Sequence, residues 1–213
     1  MIYIFGLVAI LISYLCGSTP MGFLVARLYG IDLMSSGSGK TGGTNVLRSV
    51  GRTAAALTVL GDILKGMIPV YLLAHSPTPP VITALAAAAA VIGHNHSIFL
   101  KFRGGVGAGT AIGALGGMSF PAGLIVAVCG LTALGLSRYA SILSTTIAVS
   151  TLIVLTVFAL LGYTPFEYII AAVLNLIVML FALRPNFARL RAGTERRIGQ
   201  KPENIVRVSS HHP

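Results

Sequence analysis

The stretch ASILSTTIAVSTLIVLTVFALL, Ala140–Leu161, carries no charged residue over its 22 positions. Wound as a helix at about 1.5 Å per residue it reaches roughly 33 Å, enough to cross the ~30 Å hydrocarbon layer of a bilayer. Its flanks give it a direction. Arg138 stands just before it, whereas residues 162–166 just after it hold no Lys or Arg. By the positive-inside rule, the Arg138 end faces the cytoplasm.

Working outward, comparable apolar runs lie near 3–28, 53–74, 81–98, 108–119, 121–137 and 167–183. The run at 108–119 is too short to cross at ~1.5 Å per residue, so it is a half-span or lies within the protein. The chain is 55% hydrophobic and 9% charged, with a mean hydropathy of +0.88. Such a composition has too little polar surface to cover a water-soluble globule. The net charge of +10 is placed unevenly: segments 27–52, 99–106, 138–139 and 184–213 hold fourteen of the fifteen Lys and Arg residues. The loops 75–80 and 162–166 hold none. These counts predict an all-α polytopic membrane protein of about seven transmembrane segments, one of them short. The N-terminus is expected outside and the C-terminus in the cytoplasm.

Residues 1–201 are read as one membrane domain and 202–213, polar from Pro202, as a mobile cytoplasmic tail in which His211 and His212 are incidental. The run ALAAAAAV, Ala84–Val91, should let a neighbouring helix approach closely. Cys16 and Cys129 both sit in apolar stretches and are expected as buried thiols, not a disulfide. The chain starts without a basic region and Ser13-Tyr14-Leu15 does not suit a lipoprotein site, so no cleaved signal is expected.

Three polar islands interrupt this apolar chain, all on the side assigned to the cytoplasm: Gly37–Arg48 (GSGKTGGTNVLR), Gly93–Thr110 (GHNHSIFLKFRGGVGAGT) and Arg184–Gly199 (RPNFARLRAGTERRIG). The first resembles a nucleotide loop, but a Walker A pattern needs glycine where Met34 stands. The physics outlives the failed pattern. Glycine turns free backbone N–H groups to meet an oxyanion, and Lys40 and Arg48 add charge. Arginine also offers fixed-geometry donors to phosphate oxygens. Cytoplasmic cations and glycines also serve topology and helix packing. However, topology does not call for Ser38, Thr44 and Asn45 beside Arg48 in a single loop.

Asp62 and Lys65, three apart in the second span, share a helix face and can pair. A structural brace is the main reading and a proton relay the lesser one. Asn175 suits an interhelical hydrogen bond. His94 and His96, two apart, point different ways on a helix, and no Cys or third His stands nearby, so no metal site is expected. The catalytic His–Asp dyad of soluble-type acyltransferases, with Asp five residues after His, is expected to be absent, because Phe99 follows His94 by five and Lys101 follows His96 by five.

In order and spacing, the islands resemble the three motifs of the bacterial acyl-phosphate:glycerol-3-phosphate acyltransferases, the PlsY family. The likeness extends over nearly the whole chain. It implies transfer of a fatty acyl group from acyl phosphate to the 1-hydroxyl of sn-glycerol 3-phosphate, giving lysophosphatidic acid and phosphate, in the bacterial inner (plasma) membrane with the site on the cytoplasmic face. It implies catalytic roles for Ser38, Arg48 and Asn186. Substrate-binding candidates are Gly37, Gly39, Lys40, Thr44, Asn45, His94, Lys101, Arg103, Gly104, Gly105, Gly107, Arg184 and Glu195, with Thr44 and Asn45 shaping the first loop and Glu195 ordering the third island. In the family view the substrate's phosphate helps remove the hydroxyl proton. No cofactor, metal, nucleotide or nucleic acid is implied; a monomer in membrane lipid is the simplest reading.

Three positions depart from the family pattern. Lys40 stands where many members have Asn, Val106 where a cation is usual, and Leu183 where His usually precedes the arginine of the third motif. Lys40, Lys101, Arg103 and Arg184 are the candidates to compensate. A divergent member with weak activity or another acceptor is the first alternative. A small-anion transporter is the second, disfavoured because the polar islands lie on one side and no inverted repeat is evident.

Overall fold

The computed structural model describes residues 2–200 and 204–208, and among these every regular element is helical. The helices are α1 (Ile2–Ser18), α2 (Met21–Leu28), α3 (Gly43–Ser49), α4 (Arg52–Ala74), α5 (Pro80–Asn95), α6 (Ala108–Met118), α7 (Phe120–Ser137), α8 (Ala140–Leu160) and α9 (Tyr168–Arg191). Five spans are long and apolar enough to cross a bilayer: Ile4–Leu28, which joins α1 and α2, and α4, α7, α8 and α9. Two shorter apolar helices, α5 and α6, have 16 and 11 residues. The expected seven segments are therefore present, with two falling short instead of one. Pro20 separates α1 from α2, since proline cannot donate the helical hydrogen bond and restricts the residue before it.

Small residues decide the packing. On α5, Ala84 and Ala86–Ala90 are all buried, and the helix lies against α1 and α9. On α6, Gly109, Gly113 and Gly117 recur every fourth residue and face α4. A Cβ at 113 would overlap the backbone carbonyl of Ile63, so the two helices meet backbone to backbone there. Gly113→Ala should force them apart and destabilise the fold by about 1–3 kcal/mol. Thermal unfolding in detergent checks this; an unchanged midpoint would mean that α4 and α6 are not held so closely. Leucines and isoleucines such as Leu7, Leu11, Leu72, Leu124 and Ile153 lie more than half exposed on the outer faces, as expected for side chains solvated by lipid.

The two ends of α9 differ in character. Its apolar part buries Ala171, Ala172, Asn175, Met179 and Leu183, and the helix then runs through Pro185 into the basic third island. At the tail, residues 204–208 lie against the segment 30–36. Val206 and Val208 exchange backbone hydrogen bonds with Asp32 and Gly30 (2.8 and 2.9 Å), and the amide of Val206 donates to Ser36 Oγ (2.8 Å). The remainder of 202–213, His211 and His212 included, lies outside the described residues.

Candidate functional site

The first island is built around a buried asparagine. Asn45 Oδ1 accepts the Ser38 amide (3.0 Å), and its Nδ2 donates to the carbonyls of Ser36 (3.1 Å) and Lys40 (3.0 Å). The loop thus wraps one side chain, which leaves Asn45 little capacity for a ligand and gives it a shaping role. Gly37 sits at φ 59°, a left-handed conformation, and a Cβ there would overlap Asn45 Oδ1, so the turn requires glycine.

Lys40 leaves this loop for the third island. Its ammonium donates to the Ala182 carbonyl (2.9 Å) and to Asn186 Oδ1 (3.0 Å). Asn186 Nδ2 in turn donates to Glu195 Oε1 (2.7 Å), whose other oxygen pairs with Arg189 Nε (2.7 Å). Arg48 makes the second link, donating to the carbonyls of Arg196 (2.9 Å) and Arg197 (3.3 Å). Its Nε, and one terminal nitrogen of Arg196, are buried with no partner among the described residues.

These groups surround a cavity of about 600 Å³. From the sequence-derived set, its wall takes Gly37, Ser38, Lys40, Thr44, Asn45, Arg48, His94, Gly105, Gly107, Asn186 and Glu195. Gly39, Gly104, Lys101, Arg103 and Arg184 stand outside the wall, the last three exposed. So of the four cations expected to compensate for Val106 and Leu183, Lys40 alone reaches the cavity. The other wall cations, besides Arg48, are Arg189 and Arg196, which sequence reasoning did not single out; the dense ARLR and ERR runs of the third island were the available signal. Val106 and Leu183 themselves line the wall.

Electrostatically the wall carries an excess of positive charge, with Lys40, Arg48, Arg189 and Arg196 against Asp62 and Glu195. Burial, and next the Arg189 charge, hold the Lys40 ammonium below the usual lysine range, with Glu195 partly opposing. Burial and then Arg196 lower Arg48 in the same way. An anion in the cavity would reverse both shifts, and the unpartnered guanidinium nitrogens are ready donors for it.

Asp62 is the larger omission. Its carboxylate lies 2.7 Å from Lys65 Nζ, as the spacing of the pair predicts. It also lines the cavity and lies 3.4 Å from His94 Nδ1, so the histidine does have an aspartate, brought from another helix. Beyond this polar mouth the wall turns apolar: Ile112, Ala127, Leu131, Leu134, Leu143 and Ile147 come from α6, α7 and α8. No group of three or more metal-ligating side chains is found among the described residues.

A polytopic helical membrane protein with a cationic, glycine-framed cavity that runs into an apolar cleft is the class defined so far. The glycerol-3-phosphate acyltransferase family pattern matches residues 7–193. Relatives named glycerol-3-phosphate acyltransferase include those of Rubrobacter xylanophilus, 41% identical over 89% of this chain and 94% of the relative, and Aromatoleum aromaticum, 41% identical over 91% and 96%. Crystal structures of PlsY, described as an integral membrane glycerol 3-phosphate acyltransferase, superpose with TM-scores of 0.81 (glycerol 3-phosphate form) and 0.79 (lysophosphatidic acid form). Their identities to this chain are 30% and 29%, each with 91% of this chain covered and 96% and 95% of the other. The chain belongs to the glycerol-3-phosphate acyltransferase family of the PlsY type, and it is an integral membrane acyltransferase.

Proposed function

We propose that the protein transfers a fatty acyl group from acyl phosphate to the 1-hydroxyl of sn-glycerol 3-phosphate, releasing lysophosphatidic acid and inorganic phosphate. The observation that carries this reading is the pair of unpartnered guanidinium nitrogens, on Arg48 and Arg196, beside the cavity. Two phosphate-bearing substrates side by side repel unless cations surround them, and Lys40, Arg48, Arg189 and Arg196 provide that shell. The apolar cleft between α6, α7 and α8 suits the acyl chain.

Acyl phosphate is an activated mixed anhydride, so no covalent enzyme nucleophile is needed. Catalysis then consists of holding hydroxyl and acyl carbon together and stabilising the charge that develops. In this reading Ser38 and Arg48 hold phosphate, and the turn of Gly104, Gly105 and Gly107 lets the glycerol phosphate approach the backbone closely. Asn186 lines the reaction centre and Glu195 orders it. The distribution of Lys and Arg supports a cytoplasmic position for the site, in the bacterial plasma membrane.

Phosphate release from palmitoyl phosphate by the purified protein in detergent, dependent on glycerol 3-phosphate, tests the assignment. No release above background would overturn it. Activity is expected to be indifferent to EDTA and to ATP, since the first loop lacks the Walker glycine and the histidines form no ligand group. Loss with EDTA that one added metal reverses, or ATP hydrolysis above background, would refute that expectation.

A further inference from the structure

The chain returns to the first island from its far end. Residues 204–208 come after residue 193, the last that the family pattern matches, and they pair antiparallel with the chain at Ile31, which stands opposite Arg207. The Asp32 amide donates to the Val206 carbonyl (2.8 Å), and the Val208 amide to the Gly30 carbonyl (2.9 Å). All five residues of this strap are exposed, so hydrogen bonds rather than burial hold it in place.

The contacts converge on Ser36, which is fully buried. Its Oγ donates to the Asp32 carbonyl (2.7 Å) and accepts the Val206 amide (2.8 Å). Asn204 adds two ties on either side of Ser36: its Nδ2 donates to the Ser35 carbonyl (3.0 Å), and its carbonyl accepts the Gly37 amide (3.4 Å). From the opposite side, Asn45 donates to the Ser36 carbonyl (3.1 Å) and accepts the Ser38 amide (3.0 Å). Residues 36–38 are therefore held between Asn45 within and the strap without. Ser38 stands between Gly37 and Gly39, both at positive φ (59° and 64°). Glycine backbones sample many conformations, so a serine between two of them gains most from support outside its own loop.

We propose that 204–208 is a positioning strap for the first loop: Val206, acting through Ser36, fixes the turn that presents Ser38 to the cavity. Its effect on turnover rests on the acyltransfer reading, in which Ser38 holds phosphate; its hold on the loop does not. None of residues 204–208 lines the cavity, so the strap acts through the loop and not on substrate. A contact placed in advance need not be ordered when the substrates meet, which is how positioning lowers a barrier. The end of the chain thereby becomes a control point for the site, because drawing 204–208 away loosens Ser38 while the membrane helices keep their packing.

Amide hydrogen exchange over 33–45 and acyl-transfer kinetics with palmitoyl phosphate and glycerol 3-phosphate test the proposal on the full-length protein in detergent. Val206→Pro deletes the amide that Ser36 accepts, whereas Val206→Ala keeps it. Val206→Pro and Ser36→Ala should each speed exchange over 33–45 and leave α5–α9 unchanged. Each should lower kcat/KM by about three- to tenfold, the range for one lost hydrogen bond. The double variant should lose no more than either single one, since both remove the same bond. Val206→Ala should stay within about twofold of wild type, as a surface substitution does. If Val206→Pro does not fold, Ser36→Ala and Asn204→Ala decide by the same two readouts. If wild type forms no lysophosphatidic acid, the acyltransfer reading falls, and exchange alone decides whether the strap holds the loop. Wild-type exchange over 33–45 in folded Val206→Pro, an equal loss in Val206→Ala, or losses that multiply in the double variant would overturn the proposal.

Discussion

Arg48→Ala is expected to lower kcat/KM for acyl transfer by about 10²–10⁴-fold while leaving the protein inserted and folded. The side chain donates to two carbonyls of the third island, and its Nε is buried without a partner beside the cavity. Removing it loses a charged contact to substrate phosphate and one tie between islands. At ~1.5–3 kcal/mol for each charge-assisted hydrogen bond, two such losses give that range. Arg48→Lys should recover a part of it, since charge returns but the planar fork does not. Initial rates at matched expression, with size-exclusion profiles as the folding control, check this. Full activity in Arg48→Ala would remove the first island from the site.

The second large effect expected is a gain. Val106 is half-buried, lines the cavity and packs against the core. The stem of a lysine can keep that apolar contact while its ammonium reaches the polar mouth near Gly105 and Gly107. One recovered charged contact of ~1.5–3 kcal/mol corresponds to roughly a ten- to hundredfold fall in KM for glycerol 3-phosphate where KM tracks binding. Kinetics on wild type and V106K with palmitoyl phosphate saturating measure it. An unchanged or higher KM would mean that the cavity is built around valine and takes a different acceptor. Activity in neither form would mark a degenerate member of the family.

The membrane class, the helix runs and the three islands were legible in the sequence because each is a local property. An uncharged run such as 140–161 partitions into lipid whatever its neighbours are, and basic loops mark a side one by one. Glycine turns likewise announce themselves by residue type. Long-range pairing was not legible in the same way: 204–208 pairs with 30–36 through backbone groups that side-chain chemistry does not reveal.

Which polar residues from distant parts of the chain meet was decided by the tertiary structure alone. Lys40 and Asn186 lie 146 positions apart, and their hydrogen bond exists because α9 passes through Pro185 beside the first loop. Lys101, Arg103 and Arg184 match Arg189 and Arg196 in type, but only the latter two face the cavity. His94 lacks an aspartate at any local spacing and acquires Asp62 because α5 ends against α4. Apolar and charged residues determine a helix's place in a bilayer residue by residue, in a nearly additive way. A site depends on how several helices rotate and slide against one another, and here small residues such as Gly113 and the alanines of α5 set that by letting backbones touch.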